Sequence, residues 1–284
     1  MDSTTNNFDI ALSTLRDTDR DRYLACLLSP PEKRGALAAL YAFNAELARV
    51  RDLVRDALPG EVRLQYWRDL LEGQPHGSSE ANPLAAALLS AIETCHLPRP
   101  TLIAMTEARI FDLYDDPMQS RSELEGYAGE TASALIQLAS LVLDGEKAAE
   151  SAACAGHAGV AQAVAGLLLL MPLHRHRGQL YIPAEILAAT GLDRDAFLAG
   201  EDKPRISSAI EAFAGFGLDH LAKARAERGR IASSVFAAYL PVALSGPVLR
   251  KGQKAGAGVF ETPLVLPQLS RQWRLLTASL TRRF

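Results

Sequence analysis

Residues 23–52 read YLACLLSPPEKRGALAALYAFNAELARVRD and contain the pattern on which the predicted helical class rests. After the pair Pro30 and Pro31, residues recur at the three- and four-residue spacing of one helix face. That face consists of Leu37, Leu40, Tyr41, Asn44, Leu47, Ala48 and Arg51. The polar Asn44 within it faces either a cavity or a hydrogen-bonding partner in the core, because buried amides are normally paired.

The same helical spacing continues on both sides of this stretch. The chain has 284 residues and 15 prolines, and long Ala- and Leu-rich segments lie between the prolines. No segment combines strict alternation with β-branched or aromatic enrichment, so we predict an all-α fold. The predicted helices cover 8–28, 32–57, 61–72, 83–95, 99–114, 120–143, 146–171, 184–189, 205–228, 231–239 and 268–282.

We predict one domain over residues 1–284, with a core at about 20–240. Residues 241–267 contain the glycine-rich stretch KGQKAGAG at 251–258 and are expected to be rich in loops. Residues 268–284 are predicted to form an amphipathic C-terminal helix. Its apolar stripe is Leu269, Trp273, Leu276, Leu280 and Phe284, beside Arg271, Arg274, Arg282 and Arg283.

That C-terminal stripe has two interpretations. It docks on its own domain with Trp273 as the anchor, or it contacts an anionic membrane surface or an acidic partner. We predict docking, because a single-domain chain has few other ways to cover Trp273.

Charge and composition limit the functional class. The chain has 30 Lys and Arg against 33 Asp and Glu, a net charge of −3, which argues against a general nucleic-acid binder. The three cysteines lie far apart, and the start MDSTTNNFDIAL contains no basic residue. We therefore expect a cytoplasmic protein without a signal peptide. The longest apolar run, 158–173, predicts a buried helix that breaks near Pro172 and no transmembrane helix.

Lys33, Arg34 and Tyr41-Ala42-Phe43 resemble the first signature of the squalene/phytoene synthase family. The resemblance implies an all-helical isoprenoid-synthase-like bundle around a central cavity. In the family this helix leads into an aspartate-rich DDxxD element, which here falls on residues 48–52. Ala48 occupies the first acidic position, and of the five residues only Asp52 carries a carboxylate.

Ala161-Gln162 and the stretch RGQLYIP at 177–183 resemble the second family signature. The acidic positions between these two parts fall on Leu169, Pro172 and Leu173, so no acid remains there. The stretch from Tyr127 to Ala132 resembles a third family helix. The resemblance also implies that Lys33, Arg34, Tyr41, Asn44 and Gln162 lie near the cavity. By the same resemblance we expect six side chains to converge on one internal space: Asn44, Ala48, Asp52, Gln162, Leu169 and Leu173.

These losses have a chemical meaning. Carboxylates four residues apart share one helix face, and two such pairs can hold Mg²⁺ against a diphosphate. Leucine, proline and alanine side chains offer no oxygen ligand to a hard cation. We therefore expect neither a metal nor another cofactor, and Mg²⁺ only if the protein is an active enzyme.

One acidic cluster could hold a relocated metal site. Asp112, Asp115 and Asp116 have the i, i+3, i+4 spacing of one helix face, although Pro117 follows them directly. The alternative interpretation of the cluster is a solvated helix end.

The stretches at 41–52, 64–72 and 127–138 resemble most a subgroup of the family, the respiratory complex I assembly factors with degenerate acidic motifs. The resemblance implies a non-catalytic assembly or accessory role. Its partners would be complex I subunits or assembly intermediates, and its position would be peripheral at the inner membrane. Two alternatives stay open: an active Mg²⁺-dependent head-to-head prenyl synthase in isoprenoid biosynthesis, and an isoprenoid or lipid carrier without chemistry.

Overall fold

The computed structural model of the protein describes residues 3–74 and 82–284. Regular structure within these residues is helical, with no strand, which confirms the predicted all-α class. The α-helices are α1 Ser3–Thr18, α2 Arg20–Leu27, α3 Arg34–Ala48, α4 Val50–Leu53, α5 Ala57–Glu72, α6 Pro83–Cys95, α7 Arg99–Ala108, α8 Arg121–Ala128, α9 Ala134–Leu143, α10 Ala152–His176, α11 Ala184–Ala189, α12 Arg194–Ala199, α13 Lys203–Ala226, α14 Ser245–Ala255 and α15 Gln268–Thr281.

Shorter helical turns connect these elements. A π-turn joins α8 to α9 over Gly129–Ser133. The 3₁₀ segments are Pro31–Lys33, Phe111–Leu113, Ala148–Ser151, Glu227–Arg230, Phe236–Leu244 and Gly256–Phe260.

Local capping sets several helix starts that the periodicity alone could not give. The predicted helix 8–28 is divided at Asp19, whose carboxylate accepts a hydrogen bond from the Arg22 N–H and so begins α2. Asn82 caps α6 in the same way. Pro83 follows in the first turn, where a backbone N–H would make no hydrogen bond within the helix, so proline is tolerated there. The sequence therefore contains more helix boundaries than its prolines mark.

Helix α10 lies at the centre of the bundle. It packs along α13 and against α14 and α9, while α3 packs against α1 and α6. Gly159 allows α10 to approach the π-turn closely, because a Cβ at that position would lie 2.4 Å from the Ser133 Cα. By length and composition the helical stretch Ala148–His176 could cross a membrane, but 56% of its apolar window is buried inside the fold. This is the packing of a core helix.

Several predicted boundaries are wrong, and two of them concern the second half of the chain. Helix α10 continues through Pro172 to His176, because the buried Leu168 and Met171 hold that turn against the core. Residues 245–255 form α14 and 256–260 a 3₁₀ turn, where loops were expected. Pro247 lies in the first turn of α14, where a missing N–H interrupts no helical hydrogen bond.

The C-terminal helix is present, but the prediction that its apolar stripe docks on the domain is wrong. Helix α15 packs on α2 and on the 3₁₀ segment Phe236–Leu244 through its other face, which buries Leu275 and Ala278. An Arg271–Asp21 ion pair, with Nε 2.9 Å from Oδ1, fastens that face to α2. Trp273 is 70% exposed. Of the predicted stripe, Phe284 alone is buried, where it stacks on Tyr239.

Candidate functional site

The two helices that carry the family signatures meet through an ion pair. The Asp52 Oδ1 on α4 lies 2.6 Å from the Arg177 Nη1, just beyond the C-terminal end of α10. The Asp52 side chain is 50% exposed and that of Arg177 is 27% exposed. The carboxylate left in the first signature therefore faces solvent and is bound by a cation.

The degenerate acidic positions do not all point inward. Ala48 and Asp52 are exposed, because α3 ends at Ala48 and the chain turns at Arg49, where φ is −95° and ψ is 0°. Leu173 is 37% exposed, and Pro172 lies inside α10. The expectation that these positions share one internal space is therefore wrong for Ala48 and Asp52.

Gln162 and Leu169 do line one space, a cavity of about 240 Å³. The same cavity is lined by Asp19, Asp21 and Arg22, which belong to no motif in the sequence. The cavity is also bordered by Ala165, Gly166, Pro241, Leu244, Ser245 and Val248. One side of it is polar and the other is apolar.

An ion pair and an aromatic ring hold the polar side of this cavity in place. The Arg22 Nη1 lies 2.6 Å from the Asp19 Oδ2, and its guanidinium carbon lies 5.8 Å from the centre of the Tyr41 ring. Tyr41 itself is 2% exposed, and Asn44 on the same helix is 6% exposed. These two predicted cavity residues therefore lie in the core, with Tyr41 next to Arg22.

The two basic residues of the first signature lie at the start of α3. The Arg34 Nη2 donates to the Leu27 carbonyl at 2.8 Å and its Nε donates to the Ser29 carbonyl at 3.1 Å. Lys33 is half-buried at the end of a 3₁₀ turn. Neither lines the cavity of Gln162 and Leu169, and Arg34 serves to hold the end of α2.

Mg²⁺, which the fold family implies, does not fit these positions. Ala48, Leu169 and Leu173 contribute no oxygen atom, and the Asp52 carboxylate is bound by Arg177. Within residues 3–74 and 82–284, no three His, Cys, Asp or Glu side chains lie close enough to share a metal ion. The side chains at the motif positions therefore do not fit a Mg²⁺ ion that binds a diphosphate.

Asp112 lies at the centre of a buried polar cluster. Its Oδ1 accepts hydrogen bonds from the hydroxyls of Tyr127 and Tyr181, both at 2.9 Å, and its Oδ2 lies 3.1 Å from the Arg109 Nη1. The Gln179 amide donates to the Asp112 carbonyl at 2.9 Å. Burial is the largest cause that raises the pKa of both tyrosines, which keeps their hydroxyls protonated as donors. We call Arg109, Asp112, Tyr127 and Tyr181 the Asp112 cluster.

This arrangement changes the interpretation of the acidic triad. Asp112 is buried in a 3₁₀ turn, whereas Asp115 and Asp116 are exposed after the turn has ended. The predicted helix 99–114 ends at Ala108, so the helical spacing that would align the three acids is absent. The structure does not bring them together as metal ligands.

The basic turn HRHRG at 174–178 is used inside the molecule. His174 packs on Tyr181 with ring centres 4.7 Å apart, and burial lowers its pKa to about 4. The Arg175 guanidinium lies 4.5 Å from the centre of the Phe260 ring. Arg177 is bound by Asp52, so much of this turn holds α10 to its neighbours.

The chain is similar in sequence to known proteins over most of its length. The profile of the family described as squalene/phytoene synthase matches residues 15–274. The chain is 31% identical over 269 residues to NADH dehydrogenase (ubiquinone) complex I, assembly factor 6, of Rattus norvegicus, covering 95% of this chain and 79% of the rat protein. It is 26% identical over 204 residues to 15-cis-phytoene synthase of Synechocystis, covering 66% and 59% of the two chains.

The fold is also that of solved synthase structures. A dehydrosqualene synthase in complex with a ligand superposes with a TM-score of 0.80 at 17% identity, covering 98% of this chain and 97% of the synthase. The architecture is thus the isoprenoid synthase fold, as the sequence had predicted.

Proposed function

The chain belongs to the squalene/phytoene synthase family, and we propose that it is a non-catalytic member that acts as an assembly factor for respiratory complex I. The observation that carries the proposal is the chemistry of the signature positions. Ala48, Leu169, Pro172 and Leu173 provide no metal ligand, and Asp52 is paired with Arg177. A protein that has this helical fold but lacks the metal ligands needed to ionise a prenyl diphosphate is suited to a binding role.

Similarity to named relatives supports the same proposal. The rat relative, named as a complex I assembly factor, shares more of its length and more identity with this chain than the phytoene synthase does. The partners we propose are complex I subunits or assembly intermediates. We further propose that the protein works from the cytoplasm and needs neither a metal nor another cofactor.

The cavity also supports a binding role without a large ligand. Its volume of about 240 Å³ lies below the roughly 300–1,000 Å³ of typical small-molecule sites. Arg22, the arginine in its lining, is already paired with Asp19, so its charge is not free to bind a diphosphate. These features disfavour the prenyl synthase, and the volume disfavours a carrier of long isoprenoid chains.

The proposal is tested by deleting the gene in the organism of origin. We expect NADH:quinone oxidoreductase activity and the fully assembled complex on native gels to fall together, and the wild-type gene to restore both. Succinate dehydrogenase activity is the control and should stay unchanged. Normal complex I in the deletion strain would contradict the proposal.

A second experiment separates this function from prenyl transfer. Purified protein is incubated with Mg²⁺ and labelled farnesyl or geranylgeranyl diphosphate, and diphosphate release is measured. We expect none above the level of a protein-free control. Release that disappears in Asp52→Ala would establish the enzyme instead.

A further inference from the structure

The outer side of α15 exposes a row of large apolar side chains. They are Leu269, Trp273, Leu276 and Leu280, and we call them the α15 ridge. Their exposures are 79%, 70%, 40% and 77%. At about 100° per residue this row lies opposite Leu275 and Ala278, the residues that α15 buries. The ridge is therefore unpartnered because the helix already docks through its other face.

A groove of about 430 Å³ runs beside this ridge, between α15 and the helices α13 and α14. Four arginines line it: Arg225, Arg250, Arg274 and Arg283. Trp273 borders the groove as well as the ridge, and the hydroxyls of Ser270, Thr277 and Thr281 also face it. We call this feature the arginine groove.

The arginines of this groove outnumber the negative charges near them. In the part of the chain that the structure describes, no acidic side chain lines the groove, and none of its four arginines has an Asp or Glu carboxylate within 4.0 Å. The Arg225 Nε donates to a main-chain oxygen of Phe284, the last residue of the sequence, at 2.7 Å, so one terminal carboxylate would face four guanidinium groups. Burial and the nearby charges of Arg250 and Arg228 lower the pKa of Arg225, as expected where cations crowd together.

This arrangement has the chemistry of a site for phosphate groups. Guanidinium groups bind phosphate through paired N–H donors, and hydroxyl groups add further hydrogen bonds. Trp273 adjoins the groove, and tryptophan side chains prefer the boundary between hydrocarbon and water. A ligand that matches both features carries a phosphate at the surface of an apolar layer.

We propose that the arginine groove binds the phosphate headgroup of an acidic phospholipid while the α15 ridge enters the interfacial layer of the same bilayer. The helix would then lie parallel to the membrane, with Trp273 at headgroup depth. This inference goes beyond the proposed function, because it names a surface and a ligand class that complex I assembly does not require.

A second copy of the chain fits this surface less well. In a two-fold symmetric dimer the same patch meets itself, so the four arginines of one copy would face the four of the other. A stable dimer also buries roughly 800 Å² on each partner, which four ridge side chains on a single helix do not supply alone.

The experiment uses the full chain and sedimentation with vesicles. One set is pure phosphatidylcholine, and the other contains phosphatidylglycerol in addition. We expect binding to the anionic vesicles and little to the neutral ones, and we expect added salt to weaken it as the Debye length falls from about 10 Å at 0.1 M to about 3 Å at 1 M. Trp273 fluorescence should shift to the blue on binding, and Trp273→Ala should remove this shift.

Charge variants test the groove itself. In Arg274→Gln/Arg283→Gln we expect partitioning to fall by roughly 25-fold, because each arginine near an anionic surface contributes about fivefold. The matched control is Arg55→Gln/Arg63→Gln, which removes two exposed arginines far from α15 in sequence and outside the groove. We expect the control to change partitioning by less than about twofold, since distant charges are screened.

Apolar variants test the ridge in the same way. Leu280→Ala should weaken vesicle binding, and Leu58→Ala, which truncates a leucine that is 70% exposed on α5, should not. Unfolding curves of all variants should match wild type, because each altered side chain is exposed.

Four outcomes would overturn the proposal. They are failure to bind anionic vesicles, equal losses in the groove and control variants, and sedimentation as a dimer that the ridge variants dissociate. The fourth is binding of soluble inorganic pyrophosphate to the groove at the affinity seen with vesicles, without a shift in Trp273 fluorescence. That last result would assign the groove to a free polyanion.

Discussion

The Arg177 guanidinium lies against the Asp52 carboxylate, with Nη1 and Oδ1 2.6 Å apart. This pair joins the first signature helices to the end of α10, 125 residues later in the chain. A carboxylate that would share a metal in an acidic motif therefore has a cation as its partner. The pair gives the Asp52 carboxylate a partner within the protein in place of a metal ion.

The Asp52–Arg177 pair should contribute little to stability. Asp52→Ala or Arg177→Ala should each lower the free energy of unfolding by less than about 1 kcal/mol, because exposed pairs gain little in water. Chemical denaturation of the two single variants and the double variant measures the coupling between them. A loss of several kcal/mol would show that the pair organises the helix ends more strongly than its exposure indicates.

Magnesium should not stabilise the protein specifically. A cation that binds the folded state raises the melting temperature with its concentration. With no oxygen donors at Ala48, Leu169 and Leu173, we expect millimolar MgCl₂ to act no differently from KCl of matched ionic strength. Differential scanning fluorimetry is sufficient for the measurement. A Mg²⁺-specific increase that disappears in Asp52→Asn would contradict the expectation.

The Asp112 cluster should be far more important for stability than any other acid of its segment. Asp112→Ala leaves the Arg109 side chain, 16% exposed, without its carboxylate, and we expect a loss of about 3–5 kcal/mol. Asp116→Ala, four residues later and exposed, is the matched control and should stay within about 0.5 kcal/mol of wild type. Similar unfolding midpoints for the two variants would refute the assigned role.

Much of the fold could be predicted from sequence because its helices are long and apolar on one side. The losses at Ala48 and Leu169 could also be predicted, since they depend on residue identity at known motif positions. The helix breaks at Asp19 and at the π-turn could not, because a side-chain cap and a packing contact set them. Periodicity predicts that such helices exist more reliably than it predicts where they begin and end.

Two parts of the site needed the folded chain. Tyr181 reaches Asp112 across 69 residues, a distance that no local pattern encodes. The prediction of which face of α15 is buried was wrong for a different reason. A hydrophobic stripe shows that a helix is amphipathic, but it does not show which side packs on the domain. Here the smaller face of Leu275 and Ala278 fits closely against the domain, and Trp273 is left outside.

The close approach of α10 to the π-turn predicts a sharp contrast between two glycines. Gly159→Ala should lower stability by roughly 1–3 kcal/mol, because its Cβ would lie 2.4 Å from the Ser133 Cα. Gly156→Ala, on the same helix with open space around the added Cβ, should raise stability by about 0.5–1 kcal/mol. Thermal melts of both variants test the contact. Equal effects would mean that the π-turn moves aside freely.

His174 should make the protein less stable at mildly acidic pH. Its pKa falls from 6.5 to about 4 in the folded state; burial is the largest cause, and the charge of Arg177 acts in the same direction against the raising effects of Asp112 and Asp52. Between those two values the unfolded chain binds a proton at this position and the folded chain does not. Stability that His174 preserves at pH 7 is therefore lost as the pH falls from about 6.5 towards 4, by about 1.4 kcal/mol for each unit of pKa difference.

The variant that isolates this effect is His174→Phe, which keeps a ring against Tyr181 and removes the titrating group. Denaturation at several pH values between 7 and 4.5 should show wild type losing stability relative to His174→Phe as the pH falls. His176→Gln, which changes the exposed histidine two residues later, should follow the wild-type curve. A constant difference between wild type and His174→Phe over this range would mean that His174 is as accessible to protons in the folded protein as in the unfolded chain.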